Sequence, residues 1–428
     1  MQIKADSPDP TLHSSLSGNK SGRTSGKTES IAPTEDAVKP LRVVAIGGGT
    51  GLSTLLRGLK RYVATPDRRR GIRFSDGTQN TPKAAPCPTT PCSISDLSAI
   101  VTVTDDGGSS GRLREDFKML PPGDVRNCMV ALSEDEHLLS RLFQYRFDQG
   151  ELDGHSFGNL FVAALSHITG DFAQAVQMSS QILATRGRIF PATNTNVGLA
   201  ARMDDDSLVE GETNITASKK RIVELMLVPE TVDPLPEALE AIANADLITL
   251  GPGSLYTSLI TNLLVRGIPE ALAASKATRV YVCNLMTQAN ESIGLSASEH
   301  VEKILEHARV ERRTNPVSAT LGHDIPVDRR VPPGLPGCPI FDYALINTGP
   351  ISAERLEQYA REGQSPIEAD LDRVRALGVE PITGNFVHEG DVLRHDYDRV
   401  ADTLLALCLS REAQSRHLLT RSVQDPTK

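Results

Sequence analysis

The chain has 428 residues, a formal charge of −9 and 39% hydrophobic residues, enough for one large domain with polar extensions or for two domains. The acidic balance argues against non-specific nucleic-acid binding, which needs a basic surface, and no apolar run reaches the length of a membrane span. Residues 1–40 are rich in Ser, Lys, Thr, Gly and Pro and lack the apolar stretch of a secretory signal, so a cytoplasmic location is expected. Six cysteines without a CxxC pair read as free thiols, not as a disulfide frame.

In chain order, residues 1–40 are expected to be a disordered extension. The run LRVVAIG at 41–47 ends in glycines and predicts a buried parallel strand. Residues 52–62 predict a helix. The segment 65–93 is Pro- and Thr-rich with few large apolar residues; it is expected to be a disordered insertion inside a strand–helix–strand unit. Further strands are expected within 94–104 and at 246–250, 279–283 and 343–347, with helices over 134–146 and 158–183. Residues 199–228, with the turn Asp204-Asp205-Asp206-Ser207, suggest a small inserted β-hairpin subdomain. Residues 411–428 look like a polar tail. The ordered part, 41–410, is therefore expected to be α/β: a Rossmann-like, doubly wound parallel sheet.

Chemistry-bearing residues fall in the strand-end loops. Gly47 to Gly51 (GGGTG) lies between the first strand and the first helix, where Gly48, Gly49, Thr50 and Gly51 would bring backbone amides close to a phosphate. It matches neither GxGxxG nor a Walker A loop, and a glycine turn that only packs helix on strand is the plainer alternative. After the second strand, Asp105 and Asp106 open a Gly- and Ser-rich loop. They could meet a ribose or hold Mg²⁺ beside phosphates, with Arg112 and Arg114 neutralising phosphate oxygens. Asp124 reads first as a helix N-cap, the alternative being contact with a ligand's base, and Asn127 beside it is a further candidate for ribose or base. His155 and Asn159 open another helix, His155 reading as a structural hydrogen-bonder and Asn159 as a residue able to reach a ligand. Gly253 and Ser254 mark a second helix N-terminus suited to phosphate, and Asn284 to Gln288 follow the next strand. Together these loops describe a binding crevice without specifying a reaction. No zinc-type Cys/His spacing occurs.

Seven motifs in one order carry a resemblance: AIGGGTGLS (45–53), TDDGGSSGRLRED (104–116), LPPGDVRNC (120–128), GHSFGNL (154–160), GPGSLYTS (251–258), VCNLMTQ (282–288) and NTGP (347–350). With them the chain resembles the YvcK-type gluconeogenesis factor family, within the group that includes the 2-phospho-L-lactate transferase CofD. The resemblance implies a Rossmann-like cytoplasmic protein that binds a UDP-sugar such as UDP-N-acetylglucosamine and serves cell shape and envelope synthesis on gluconeogenic carbon sources. It also implies that Tyr359 and Arg394 contact the nucleotide sugar, and that partners belong to peptidoglycan synthesis. From the CofD side it implies a Mg²⁺-dependent phosphotransferase, with Asp105 and Asp106 at the metal; GGGTGLS resembles the YvcK pattern rather than the transferase one. Fortuitous binding of an NAD-type dinucleotide and a homodimer are compatible with such a fold.

Overall fold

The computed structural model describes residues 40–63, 93–134, 138–218, 220–289, 291–314 and 340–424. The expected disordered extension falls outside these residues except for Pro40, and the 65–93 insertion except for Ser93.

Twelve strands are found among the described residues: β1 Leu41–Gly47, β2 Ile94–Val101, β3 Arg188–Pro191, β4 Gly198–Met203, β5 Leu208–Glu210, β6 Ile222–Val228, β7 Leu247–Leu250, β8 Thr278–Val282, β9 Tyr343–Asn347, β10 Glu380–Gly384, β11 Val387–Glu389 and β12 Leu393–His395. Seven form one sheet in the order β10-β9-β8-β7-β1-β2-β3, every pairing parallel. Its central strands are apolar because helices cover the sheet: every residue of β7 is buried, and so is all of β1 except Arg42. The sheet is doubly wound, as expected. From β1 the chain builds outward through β2 and β3, then returns to the other side of β1 with β7 and continues to β10. The reversal beside β1 opens a crevice at the carboxyl ends of β1 and β7, the usual ligand position in such sheets.

Helix α1 (Gly49–Lys60) follows β1 directly, α2 (Gly108–Phe117) follows β2, and α3 (Gly123–Leu132) packs against α1. The inserted subdomain is a three-stranded antiparallel sheet, β5-β4-β6, whose β4–β5 turn is held by the Ser207 amide donating to Asp205 Oδ1 (3.1 Å). A short helix, Glu212–Ala217, follows β5. Its Thr213 amide and hydroxyl donate to Asp106 Oδ1 (2.8 and 2.6 Å), tying the subdomain to the loop after β2.

Three expectations on elements change. The helix expected over 158–183 is two helices, Phe157–Thr169 and Phe172–Ile182. Gly170 caps the first in the left-handed region (φ 69°), and the Asp171 side chain accepts from the Gln174 amide to start the second. Asp124 is not an N-cap: Pro122 holds that position, and Asp124 lies within the first turn of α3. The polar tail expected over 411–428 continues a helix, Tyr397–Gln424, as far as residue 424, and 425–428 lie outside the described residues. Its first turns bury Val400, Ala401, Leu404 and Cys408 against α1, β7 and β8.

Candidate functional site

The β1–α1 loop is shaped by contacts that exclude side chains. A Cβ on Gly48 would stand 2.5 Å from Thr102 Cγ2 and 2.8 Å from Asp124 Oδ2, and one on Gly51 would stand 2.3 Å from the Pro252 carbonyl oxygen. Gly49, at φ 62°, turns the chain into α1. The loops after β1 and β7 therefore meet backbone to backbone, which only glycine permits at this distance. The first amides of a helix have no partner within it. Here the Gly49 amide donates to the Asp124 carboxylate, while Thr50 and Gly51 face a cavity of about 530 Å³.

That cavity brings together Gly48, Gly49, Thr50 and Gly51 with Gly253 and Ser254, Asn284, Tyr359 and Arg394. Its volume is within the range of small-molecule sites. One wall is a hydrogen-bonded chain: Asn284 Nδ2 donates to Gln288 Oε1 (3.2 Å), and Gln288 Nε2 donates to Ser254 Oγ (2.9 Å). The opposite wall comes from the C-terminal hairpin β11–β12. There the Leu393 amide donates to the Tyr359 hydroxyl (3.1 Å), so Tyr359 and Arg394 reach the cavity as one unit. His395 closes the corner by donating from Nε2 to the Cys283 carbonyl (3.0 Å), and burial pulls its pKa down to about 4.

The second helix N-terminus is already engaged. The wide helical turn Leu255–Ile260 receives the buried Glu291 carboxylate, which accepts from the Tyr256 amide (3.1 Å) and the Thr257 hydroxyl (2.9 Å). Gly253 and Ser254 thus reach the cavity as loop atoms, while those two residues of the helix start are spoken for.

The acidic residues form a layer beside the glycine loop, outside the cavity lining. Loss of hydration pushes the Asp124 carboxyl up to about 6; the Gly49 amide opposes this and the charge of Asp105 adds to it. Burial, then the charges of Asp105 and Asp124, hold Glu212 well above the usual carboxylate range. Its Oε2 accepts from the Thr104 hydroxyl (3.1 Å). Asp105 Oδ1 accepts from the Gly107 amide (2.9 Å), whereas Asp106 Oδ1 serves Thr213. Among the described residues no group of three or more His, Cys, Asp or Glu side chains is arranged to hold a metal ion. Asp105 and Asp106 each keep one oxygen outside these bonds, a donor set that suits Mg²⁺ only with ligand phosphates completing it.

Other expected contacts lie elsewhere. Arg112 donates to the Asp153 carbonyl (2.7 Å) and Arg114 to the Thr104 carbonyl (3.2 Å), so neither enters the cavity. Buried Asn159 donates to Ser109 Oγ (3.2 Å), and His155 Nδ1 shares that hydroxyl at 3.1 Å; neither lines the first cavity. Asn127 lines a neighbouring cavity. His395, Glu291 and Glu212 were not foreseen, since each is joined to its partners only by contacts distant in sequence.

The profile of the 2-phospho-L-lactate transferase CofD family matches residues 43–387. The chain is 42% identical over 370 residues to a gluconeogenesis factor of Halalkalibacterium halodurans, covering 86% of this chain and 97% of that one. It is 40% identical over 368 residues to the gluconeogenesis factor of Bacillus subtilis, covering 86% and 98%. A crystal structure of a Bacillus halodurans protein matches with a TM-score of 0.70 and 42% identity, over 86% of this chain and all of that one. The family match takes in both glycine loops, and on it and these relatives the chain belongs to the CofD family, among its gluconeogenesis-factor relatives.

Proposed function

We propose that the chain is a nucleotide-sugar-binding gluconeogenesis factor whose ligand, a UDP-sugar of the UDP-N-acetylglucosamine type, lies in the crevice at the carboxyl ends of β1 and β7. The observation that carries this is the single cavity joining the glycine loop to Tyr359 and Arg394. In this reading a phosphate takes the Thr50 and Gly51 amides, where the dipole of α1 favours negative charge. The Asn284–Gln288–Ser254 chain offers paired donors and acceptors to ribose or base. Arg394 neutralises the diphosphate and Tyr359 bounds the sugar. The role is regulatory in the cytoplasm: the bound state is read by proteins of envelope synthesis, with effects on cell shape.

Calorimetric titration with UDP-N-acetylglucosamine tests it. Gly49→Asp places a negative side chain at a φ 62° position in the loop and should abolish binding. Arg394→Ala should weaken binding by about tenfold or more, a charged hydrogen bond being worth about 1.5–3 kcal/mol. Full affinity in the Gly49→Asp chain, with its melting temperature unchanged, would overturn the reading.

A second reading, a Mg²⁺-dependent phosphotransferase, is favoured by the acidic layer of Asp105, Asp124 and Glu212, whose mutual repulsion a cation would relieve. Asp105 and Asp106 would hold the ion, which would neutralise charge on a transferring phosphoryl group. Incubation with Mg²⁺ and a panel of diphosphates decides it: a transferred or cleaved product supports transfer, and none across the panel favours the binding role.

A further inference from the structure

Arg57, Arg126, Arg146 and Arg394 line a second cavity of about 490 Å³, which shares Thr50, Thr54, Arg394 and His395 with the first. Among the described residues no carboxylate lines it; its other side chains include Asn127, Gln144 and His388. None of the four arginines is ion-paired with a described residue, whereas Arg42, Arg188 and Arg279 are held by Asp246, Asp96 and Asp342. Arg126 donates to Ser156 Oγ (2.6 Å) and Asn127 Oδ1 (2.7 Å). Its Nε is buried without a hydrogen-bond partner. Arg146 donates to the Gly154 carbonyl.

Four like charges around one cavity repel one another, and the effect is felt: burial and then Arg146 lower the pKa of Arg126. In a chain of net charge −9, carboxylates to neutralise them are plentiful; Asp124 and Asp105 raise the pKa of Arg126, but burial and Arg146 outweigh them. An arrangement of guanidinium groups without an ion-pair partner among the described residues matches the planar, multidentate donor sets that bind phosphate.

We propose that this cavity is a subsite for a multiply charged anion of the phosphate class, opening on the nucleotide crevice across Arg394. It is a different cavity from the one that carries the nucleotide reading, and it stands without that reading. The anion has two candidate sources, the phosphates of a ligand that reaches over from the first cavity, or a separate phosphorylated small molecule bound beside it.

The test uses the full chain and inorganic pyrophosphate as the probe, followed by calorimetry. Arg57→Gln with Arg146→Gln removes two exposed arginines of the cavity and should leave the melting temperature unchanged. Arg188→Gln with Arg266→Gln removes the same charge at distant ion-paired sites. Pyrophosphate affinity should fall roughly tenfold or more in the first double variant and little in the second. Competition between pyrophosphate and UDP-N-acetylglucosamine assigns the subsite to the ligand's own phosphates; simultaneous binding assigns it to a separate molecule. Absence of pyrophosphate binding by the unaltered chain, or equal loss in both variants, overturns the subsite. A chain that binds pyrophosphate in this arginine-dependent way but not the UDP-sugar would retain the subsite and lose the nucleotide reading.

Discussion

At the scale of single residues, Asp124 is the most heavily constrained acid of the site. It accepts from the Gly49 amide and occupies the space that any side chain on Gly48 would need. Its carboxyl holds a proton more tightly in the folded chain, up to about 6 from an ordinary 3.8. Folding is then favoured by this group while it is protonated in both states, and that contribution is lost as pH rises from the unfolded value through the folded one. Asp124→Asn keeps an acceptor for Gly49 and removes the titration. Its melting temperature relative to the unaltered chain should climb between pH 4 and 6 and level off above. A gap that stays constant over that range would mean that the carboxyl ionises as an ordinary acid.

At the scale of elements, the junction of the β1–α1 loop with the β7 loop decides whether the crevice exists. Alanine is a better helix former than glycine by about 1 kcal/mol, so propensity alone would have Gly51→Ala strengthen α1. The added carbon would stand 2.3 Å from the Pro252 oxygen and 2.7 Å from its carbonyl carbon, and neither backbone atom can rotate away. Overpacking of this kind costs about 1–3 kcal/mol. Urea denaturation of Gly51→Ala should show a net loss of stability, and UDP-sugar binding should weaken as the two loops part. Stabilisation by the substitution would show that the loops are not in contact.

At the scale of the whole molecule, the C-terminal helix Tyr397–Gln424 closes the fold over its own beginning. A Cβ on Gly58 in α1 would stand 2.3 Å from the Tyr397 carbonyl oxygen, so the two helices cross closely at that point. Leu404 is fully buried there. Leu404→Ala should cost about 2–5 kcal/mol, read from the denaturation midpoint. Because the hairpin that carries Arg394 leads directly into this helix, UDP-sugar affinity should fall with it. A variant that loses stability but keeps full affinity would separate the hairpin's placement from the packing of the helix.

Local patterns determined much of this protein by themselves. The apolar runs of β1, β2, β7, β8 and β9, each followed by Gly, Asp or Asn, are legible because a covered parallel strand must be apolar along its length and because turns need such residues. The glycine loop and the cluster of strand-end loops follow from the same rule, and seven ordered motifs point to the family. Tertiary structure alone decided which of those loops share a cavity: it joined Gly48 to Tyr359 and Arg394, set Asn159 and His155 on Ser109, turned Asp106 toward Thr213, and placed Glu291 on a helix start. Nothing in the sequence singles out Arg57 or Arg146. Charge and hydrogen bonding act across space rather than along the chain, so the grouping of four arginines around one cavity emerges only once the sheet has brought their segments together.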